Sequence, residues 1–230
     1  MSSLPYRIRF GSPELRPVPF GDKRFLDVGC GGGALLRDMH ALGWSCFGID
    51  LSDESVKSSR ERAPQASVKK ALLKDLVEES FYDLIILSHV LEHLPNPIPS
   101  LQQCLRLLRP GGKLVVVVPN IASAEARLFS RSWLGLEIPR HLIHFTEATA
   151  RNVIERAGFQ IEGVRPSYMA SSISQSILLS APSRWRRRLL RSPLSRILHL
   201  LCLLPTNVAY VLGNRGAVEI TAIKPDTENR

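Results

Sequence analysis

Phe25-Leu26-Asp27-Val28-Gly29-Cys30-Gly31-Gly32-Gly33 decides how the rest of the chain is read. A short apolar strand runs into a turn with four glycines in five positions, so main chain can lie against a ligand with no Cβ between them. Ala34 to Leu42 carries helical periodicity, which sets a helix N-terminus over the same point. A second apolar strand, Cys46-Phe47-Gly48-Ile49, ends at Asp50, 21 positions beyond Gly29. In a parallel sheet with right-handed crossovers the two strands are neighbours, and Asp50 arrives at the carboxyl edge beside the glycines. A carboxylate there accepts hydrogen bonds from both vicinal hydroxyls of a ribose. A nucleoside-bearing ligand is therefore expected.

The glycines alone also satisfy a loose dinucleotide fingerprint, which would suit a nicotinamide-dependent oxidoreductase. Downstream stretches decide against it. Asp27-Val28-Gly29-Cys30-Gly31-Gly32-Gly33, Gly48-Ile49-Asp50-Leu51-Ser52, Tyr82-Asp83-Leu84-Ile85-Ile86, His89-Val90-Leu91-Glu92-His93-Leu94 and Leu107-Leu108-Arg109-Pro110-Gly111-Gly112 follow in this order. Together, over roughly residues 24 to 165, they resemble the core of the seven-stranded, class I S-adenosylmethionine-dependent methyltransferases, in particular the quinone-biosynthesis branch. The resemblance implies S-adenosylmethionine as cofactor, with Asp27 and the backbone of Gly29, Cys30, Gly31 and Gly33 at its amino-acid end. Asp50 would take the ribose, Leu51 and Leu72 would pack against the adenine, and Ser88 would offer its backbone at the end of the fourth strand. Relatives commonly place an acid just after the third strand to meet the adenine amino group. Here that position is Ala71 or Leu72, and Asp75 comes a few residues late.

A chain of 230 residues is long enough to bury a sizeable core as one domain. Cys30, Cys46, Cys104 and Cys202 show neither pairing nor metal-like spacing, which fits a reducing, cytoplasmic setting. Residues 1–22 lack the apolar run of a signal peptide and read as an extended, proline-containing lead-in. The net charge of +9 is concentrated. No acid occurs between Glu162 and Glu219, while eight arginines from Arg165 to Arg215 do, and the remainder of the chain is nearly balanced.

Strands and helices alternate. Ser52 caps a helix that stops before Pro64, Ser67 to Ala71 is a third strand, and Asp83 to Leu87 is a fourth with the continuous apolar run of a sheet covered on both faces. Pro95-Asn96-Pro97 opens the next helix, Lys113 to Val118 is a fifth strand, and a helix follows from Thr146 to Ala157. Phe159 to Val164 and Val218 to Ile223 both alternate like antiparallel edge strands. The expected fold is one α/β domain over residues 1–230, a three-layer sandwich. Its mostly parallel seven-stranded sheet would take the order 3-2-1-4-5-7-6 that the resemblance implies, with a helical insertion at 167–215 between the last two strands.

Two histidine groups bear on chemistry. His89, Glu92 and His93 follow the fourth strand; the spacing of the histidines resembles that of metal ligands, but no third ligand is evident and methyl transfer needs no metal, so none is expected. Trp133 to Phe145 holds a Pro139-Arg140-His141-Leu142 segment like that of one methyltransferase subgroup. A hydroxyl acceptor must lose a proton, and an imidazole suits that task near neutral pH, which nominates His141 first and His144 second. In the insertion, Arg184 to Arg191 reads as a cationic helix and Leu194 to Leu204 as an apolar one, too short to span a bilayer at about 20 residues. Residues 183–204 suit attachment to an anionic membrane surface, such as the inner face of the membrane, or a cover over the substrate site. Nucleic acid is disfavoured because aromatics are sparse. The expected activity is methyl transfer to a small-molecule or lipid-linked acceptor, at a hydroxyl oxygen. An inactive scaffold tethered to a membrane or partner by the arginine helix is the alternative. The pattern carries no signal for an oligomeric state.

Overall fold

The computed structural model describes residues 19–167, 172–182 and 216–225, together with scattered positions between 192 and 202. Its strands are β1 (Arg24–Val28), β2 (Ser45–Asp50), β3 (Ser67–Lys70), β4 (Tyr82–Ser88), β5 (Leu108–Pro119), β6 (Gln160–Ser167) and β7 (Ala217–Ile223). They form one sheet in the order β3-β2-β1-β4-β5-β7-β6, as expected. The pairs on either side of β1 and the β4–β5 pair are parallel, whereas β7 runs antiparallel to both β5 and β6.

Strand alternation sends side chains to two cores. Leu26, Val28, Ile85, Leu87, Val116 and Val118 face one, shared with helices α3 (Pro97–Leu107) and α5 (Glu147–Arg156). Phe25, Leu84, Ile86, Val115 and Val117 face the other, under α1 (Ala34–Ala41) and α2 (Asp53–Arg62). This two-sided cover explains why the inner strands read as unbroken apolar runs. Helix starts fall where local chemistry places them. The Ser52 hydroxyl accepts from Ser55 N–H, the Thr146 hydroxyl accepts from Thr149 N–H, and Pro97 fills the first turn of α3.

Three differences from the sequence reading have physical causes. β5 begins at Leu108, because that residue already pairs with Tyr82 before a register shift absorbs the Pro110-Gly111-Gly112 stretch. β7 is interior and almost wholly buried, although its alternation reads as an edge strand; Glu219 lies inside with it. A helix, α6 (Ser172–Ser180), starts the insertion where none was expected, since serines alternating with bulkier residues suit a strand period better than a helical one. The cationic segment Arg184 to Arg191 lies outside the described residues. No helix among the described residues is long and apolar enough to cross a membrane.

Two glycines of the first turn separate conformational need from space. Gly31 and Gly33 both sit in the left-handed region, at φ 50° and 73°. A Cβ on Gly33 would come within 2.8 Å of Ser59 Cα and 3.0 Å of its carbonyl oxygen, so α2 packs directly on the turn, whereas nothing lies within 4 Å of a Cβ on Gly31. Gly33→Ala is therefore expected to cost about 3 kcal/mol, combining strain with overpacking, and Gly31→Ala about 1 kcal/mol, from strain alone. Urea denaturation midpoints of the two variants check the difference.

Candidate functional site

The glycine turn and the end of β2 are bound to one another before any ligand arrives. Gly29 and Cys30 N–H both donate to the Ile49 carbonyl, at 2.8 and 3.0 Å. Gly31 N–H donates to Asp50 Oδ2 at 2.9 Å, and Ser52 N–H donates to the other carboxylate oxygen at 2.9 Å. Each Asp50 oxygen keeps a further lone pair for a hydroxyl donor. Beside it lies a cavity of about 420 Å³ whose walls include Gly29, Asp50, Leu51, Leu72, His89 and His93. That volume falls within the range of small-ligand sites.

The turn's offer to a ligand is not the one expected of it. Gly33 N–H donates to Cys30 O at 3.0 Å, so the amides of Gly29, Cys30, Gly31 and Gly33 are all engaged internally. What remains for a ligand's amino-acid end is mainly carbonyl oxygen, which suits an ammonium. Nearby charge agrees. Asp27 is 3% exposed at the end of β1, and burial, with a smaller contribution from the Asp50 carboxylate, pushes its carboxyl up to about 8. Two carboxyls close enough to repel one another favour a cation, and a sulfonium nucleoside with an ammonium tail fits that demand. The Cys30 side chain turns the other way, packing under Gly48 and toward Ser59, and burial pushes its thiol up to about 11.

The side of the cavity where adenine is expected is apolar. Leu51, Ala71, Leu72 and Leu73 line it, while Asp75 is committed elsewhere, its carboxylate accepting from Leu72 N–H at 3.0 Å to cap a short helical turn. Asp75 is thus a structural acid, and the missing adenine-binding acid has no substitute from it. Ser88 ends β4 but is not part of the cavity wall.

Opposite the nucleoside half stands a cluster of histidines and buried acids. His89 leaves β4 at φ 56°, a conformation rare for a side chain of its size and one found at functional sites. Its Nδ1 lies 3.4 Å from Glu92 Oε1. Glu92 is 1% exposed and neither carboxylate oxygen has a hydrogen-bond partner. The long excursion after β5 returns here. Its ends are pinned where Ile121 N–H donates to Phe145 O at 2.9 Å, and Leu142 and Ile143 N–H both donate to the Glu92 carbonyl. His141 is thereby brought to within 4.7 Å of His93, ring centre to ring centre. His141 Nδ1 meets the Gly135 carbonyl at 2.8 Å, leaving Nε2 toward Glu137, at 3.2 Å, and Glu92, at 3.9 Å. His93 Nδ1 meets the Arg140 carbonyl at 2.9 Å, which leaves its Nε2 for another partner. His144 bonds through Nε2 to Leu136 O at 2.8 Å.

His93 and His89 therefore form the cavity wall, and the nominated His141 stands behind His93. Sequence reasoning gave Glu92 and Glu137 no partner, because their meeting with His141 depends on the return path of a loop some 45 residues further on. Donor atoms of Glu92, His93 and His141 lie within 4.8 Å of one another, close enough to share a proton or a cation. Sequence spacing offered no such third member, since it brought His89 and His93 together and left His141 apart.

Comparison with known proteins places this geometry in context. The methyltransferase domain family profile matches residues 4–164. The ubiquinone biosynthesis O-methyltransferase of Xanthomonas axonopodis pv. citri is 32% identical over 172 residues, covering 70% of this chain and 71% of that protein. Its namesake from Nitrosomonas europaea is 39% identical over 97 residues, covering 40% of this chain and 41% of the relative. Among solved structures, a SAM-dependent methyltransferase from Methanosarcina mazei superposes with a TM-score of 0.63 at 18% identity, over 94% of this chain and 98% of that one. The cyclase SpnF gives 0.64 at 19% identity, over 93% and 78%. Likeness at that identity speaks for the fold alone.

Asp27 gives a pH signature. A carboxyl whose folded value, about 8, lies above its ordinary 3.8 holds more protons folded than unfolded between the two. Its contribution to stability is full below the lower value and is lost as pH rises to the upper one. The stability of Asp27→Asn relative to the parent should rise with pH between about 5 and 8, by up to about 1.4 kcal/mol per unit. Urea titrations across that window measure it, and a difference independent of pH would refute the burial of a protonated Asp27.

Proposed function

This chain belongs to the class I S-adenosylmethionine-dependent methyltransferases, and from that premise we propose that it methylates a hydroxyl oxygen on a small-molecule or lipid-linked acceptor. The observation that carries the reading is the junction of two half-sites. A cavity fitted to a cationic nucleoside shares its wall with His89 and His93, and His141 and Glu92 lie directly behind. Curated relatives are named as ubiquinone biosynthesis O-methyltransferases.

S-adenosylmethionine supplies an electrophilic methyl group on a sulfonium. Asp50 holds the ribose hydroxyls, Leu51 and Leu72 sandwich the base, and Asp27 with the main chain of the glycine turn, from Gly29 to Gly33, faces the amino-acid end. With the cofactor bound, its sulfur would keep the bonding pair as the methyl group leaves for the acceptor oxygen, and an imidazole of this chain would take the hydroxyl proton. His93 is the member of the cluster that reaches the cavity. His141, whose Nδ1–H is held by Gly135 and which stands behind His93, would receive the proton at Nε2 by way of His93, and Glu137 and Glu92 would stabilise the imidazolium. His144 is second in this role. In-line placement supplies most of the acceleration, and proton removal adds about 10²–10⁴-fold.

The acceptor's amphiphilic character is read from the insertion. Ile197, Leu200 and Leu201 are exposed apolar side chains in its described part, and the neighbouring arginines carry the chain's excess charge. Such a segment suits an anionic lipid surface from which a membrane-dissolved acceptor is drawn, with the protein peripheral on the cytoplasmic face.

Three measurements test the proposal. Incubation with cofactor carrying a labelled methyl group and with fractionated cell extract should place label in lipid or small-molecule pools; label in none of them would favour the inactive scaffold. His141→Asn should lower turnover by about 10²-fold or more while S-adenosylhomocysteine binds within about twofold of the parent. Undiminished turnover would remove His141 from catalysis. The protein should sediment with anionic but not neutral vesicles, and less so at high salt; equal recovery in both supernatants would remove the membrane from the account.

A further inference from the structure

The short turn at residues 134–136 is the mount on which both nominated histidines sit. His141 Nδ1 bonds to Gly135 O, and His144 Nε2 bonds to Leu136 O, each at 2.8 Å. The turn has little freedom of its own. Trp133 is buried beneath it, with its ring so close to Gly135 that a Cβ there would fall 2.4 Å from Cζ2. Glu137 closes it at φ 32°, and the Glu137 carbonyl accepts from Arg140 and His141 N–H.

One further bond reaches the turn from outside the excursion. Leu134 N–H donates to Ser176 Oγ at 3.0 Å, 42 residues away in the chain. Ser176 is fully buried in α6, the first helix of the insertion, which among the described residues packs chiefly against the segments around 124–136. Serine is a poor choice for the middle of a helix unless its hydroxyl has a task, because it competes for backbone partners. Here the hydroxyl accepts from the amide of a half-buried loop residue.

We propose that Ser176 is a positioning residue: through Leu134 N–H it fixes the 134–136 turn, and through that turn's carbonyls it fixes the ring orientation and tautomer of His141 and His144. The insertion is then a working part of the proton-handling apparatus and not only a cover. What these rings do in turnover rests on the function proposed above, but their mounting does not. It can be read with no acceptor present, so failure of one does not stand for failure of the other.

The test uses full-length protein labelled with ¹⁵N at its six histidines, with His141→Asn and His144→Asn spectra to assign the imidazole N–H signals. Solvent exchange of the His141 Nδ1 proton and the His144 Nε2 proton is compared among the parent, Ser176→Ala and Ser176→Thr. Expected are exchange at least about tenfold faster in Ser176→Ala, restoration to within about twofold by threonine, which keeps the hydroxyl, and unchanged affinity for S-adenosylhomocysteine. Should Ser176→Ala melt more than about 5 °C below the parent, Ser176→Cys, similar in size but a weak acceptor, takes its place. Parent-like exchange in the variant lacking the acceptor overturns the proposal. So does exchange in the threonine variant as fast as in alanine, or a matching loss of nucleoside affinity, since either marks general disruption.

Discussion

The Asp50 carboxylate joins two chain reversals into one surface, alongside the bonds from the turn to the Ile49 carbonyl. One oxygen takes the Gly31 amide and the other the Ser52 amide, so the glycine turn after β1 and the start of α2 after β2 are set relative to each other by one rigid group. The parallel register of β1 and β2 makes this possible by bringing Val28 opposite Ile49, and left-handed glycines make it affordable in space. Leu51, on the cavity wall, lies between Asp50 and Ser52, the two residues so held.

The electrostatics of the two half-sites are opposed in a useful way. Around the turn lie the buried Asp27 carboxyl and the half-buried Asp50 carboxylate, with no ion pair to either among the described residues, an arrangement complementary to a positively charged ligand. Across the cavity, imidazoles alternate with Glu92 and Glu137, an arrangement in which a proton can be accepted without creating an isolated buried charge.

How much of this could be read from residues alone depends on how local each cause is. β1, β4 and the core of β5 announce themselves because burial on two faces demands unbroken apolar runs, and the helix caps at Ser52 and Thr146 are decided within four residues. Asp50 could be placed because parallel pairing and handedness put it beside the turn. By contrast, α6 conceals itself: Ser174 and Ser176 are buried where an amphipathic reading would expect apolar side chains, because the surroundings need hydroxyls there. Glu92 looks like one more acid in a helical turn until a loop returning from β5 seals it off, and His141 was nominated without any sign that His93 would stand between it and the cavity. These are consequences of path, which no window of sequence contains. The likeness to relatives supplied the order of the strands; the alternation of β7 pointed to an edge it does not occupy.

The position of the insertion has a further meaning. β6 and β7 are hydrogen-bonded neighbours, and β7 is held on its other side by β5 over seven residue pairs. The sheet therefore closes on itself across whatever lies between Ser167 and Ala217, and neither its register nor its cores record how many residues are threaded through that gap. A change in the length of that segment would therefore leave the pairing of β5, β7 and β6 intact.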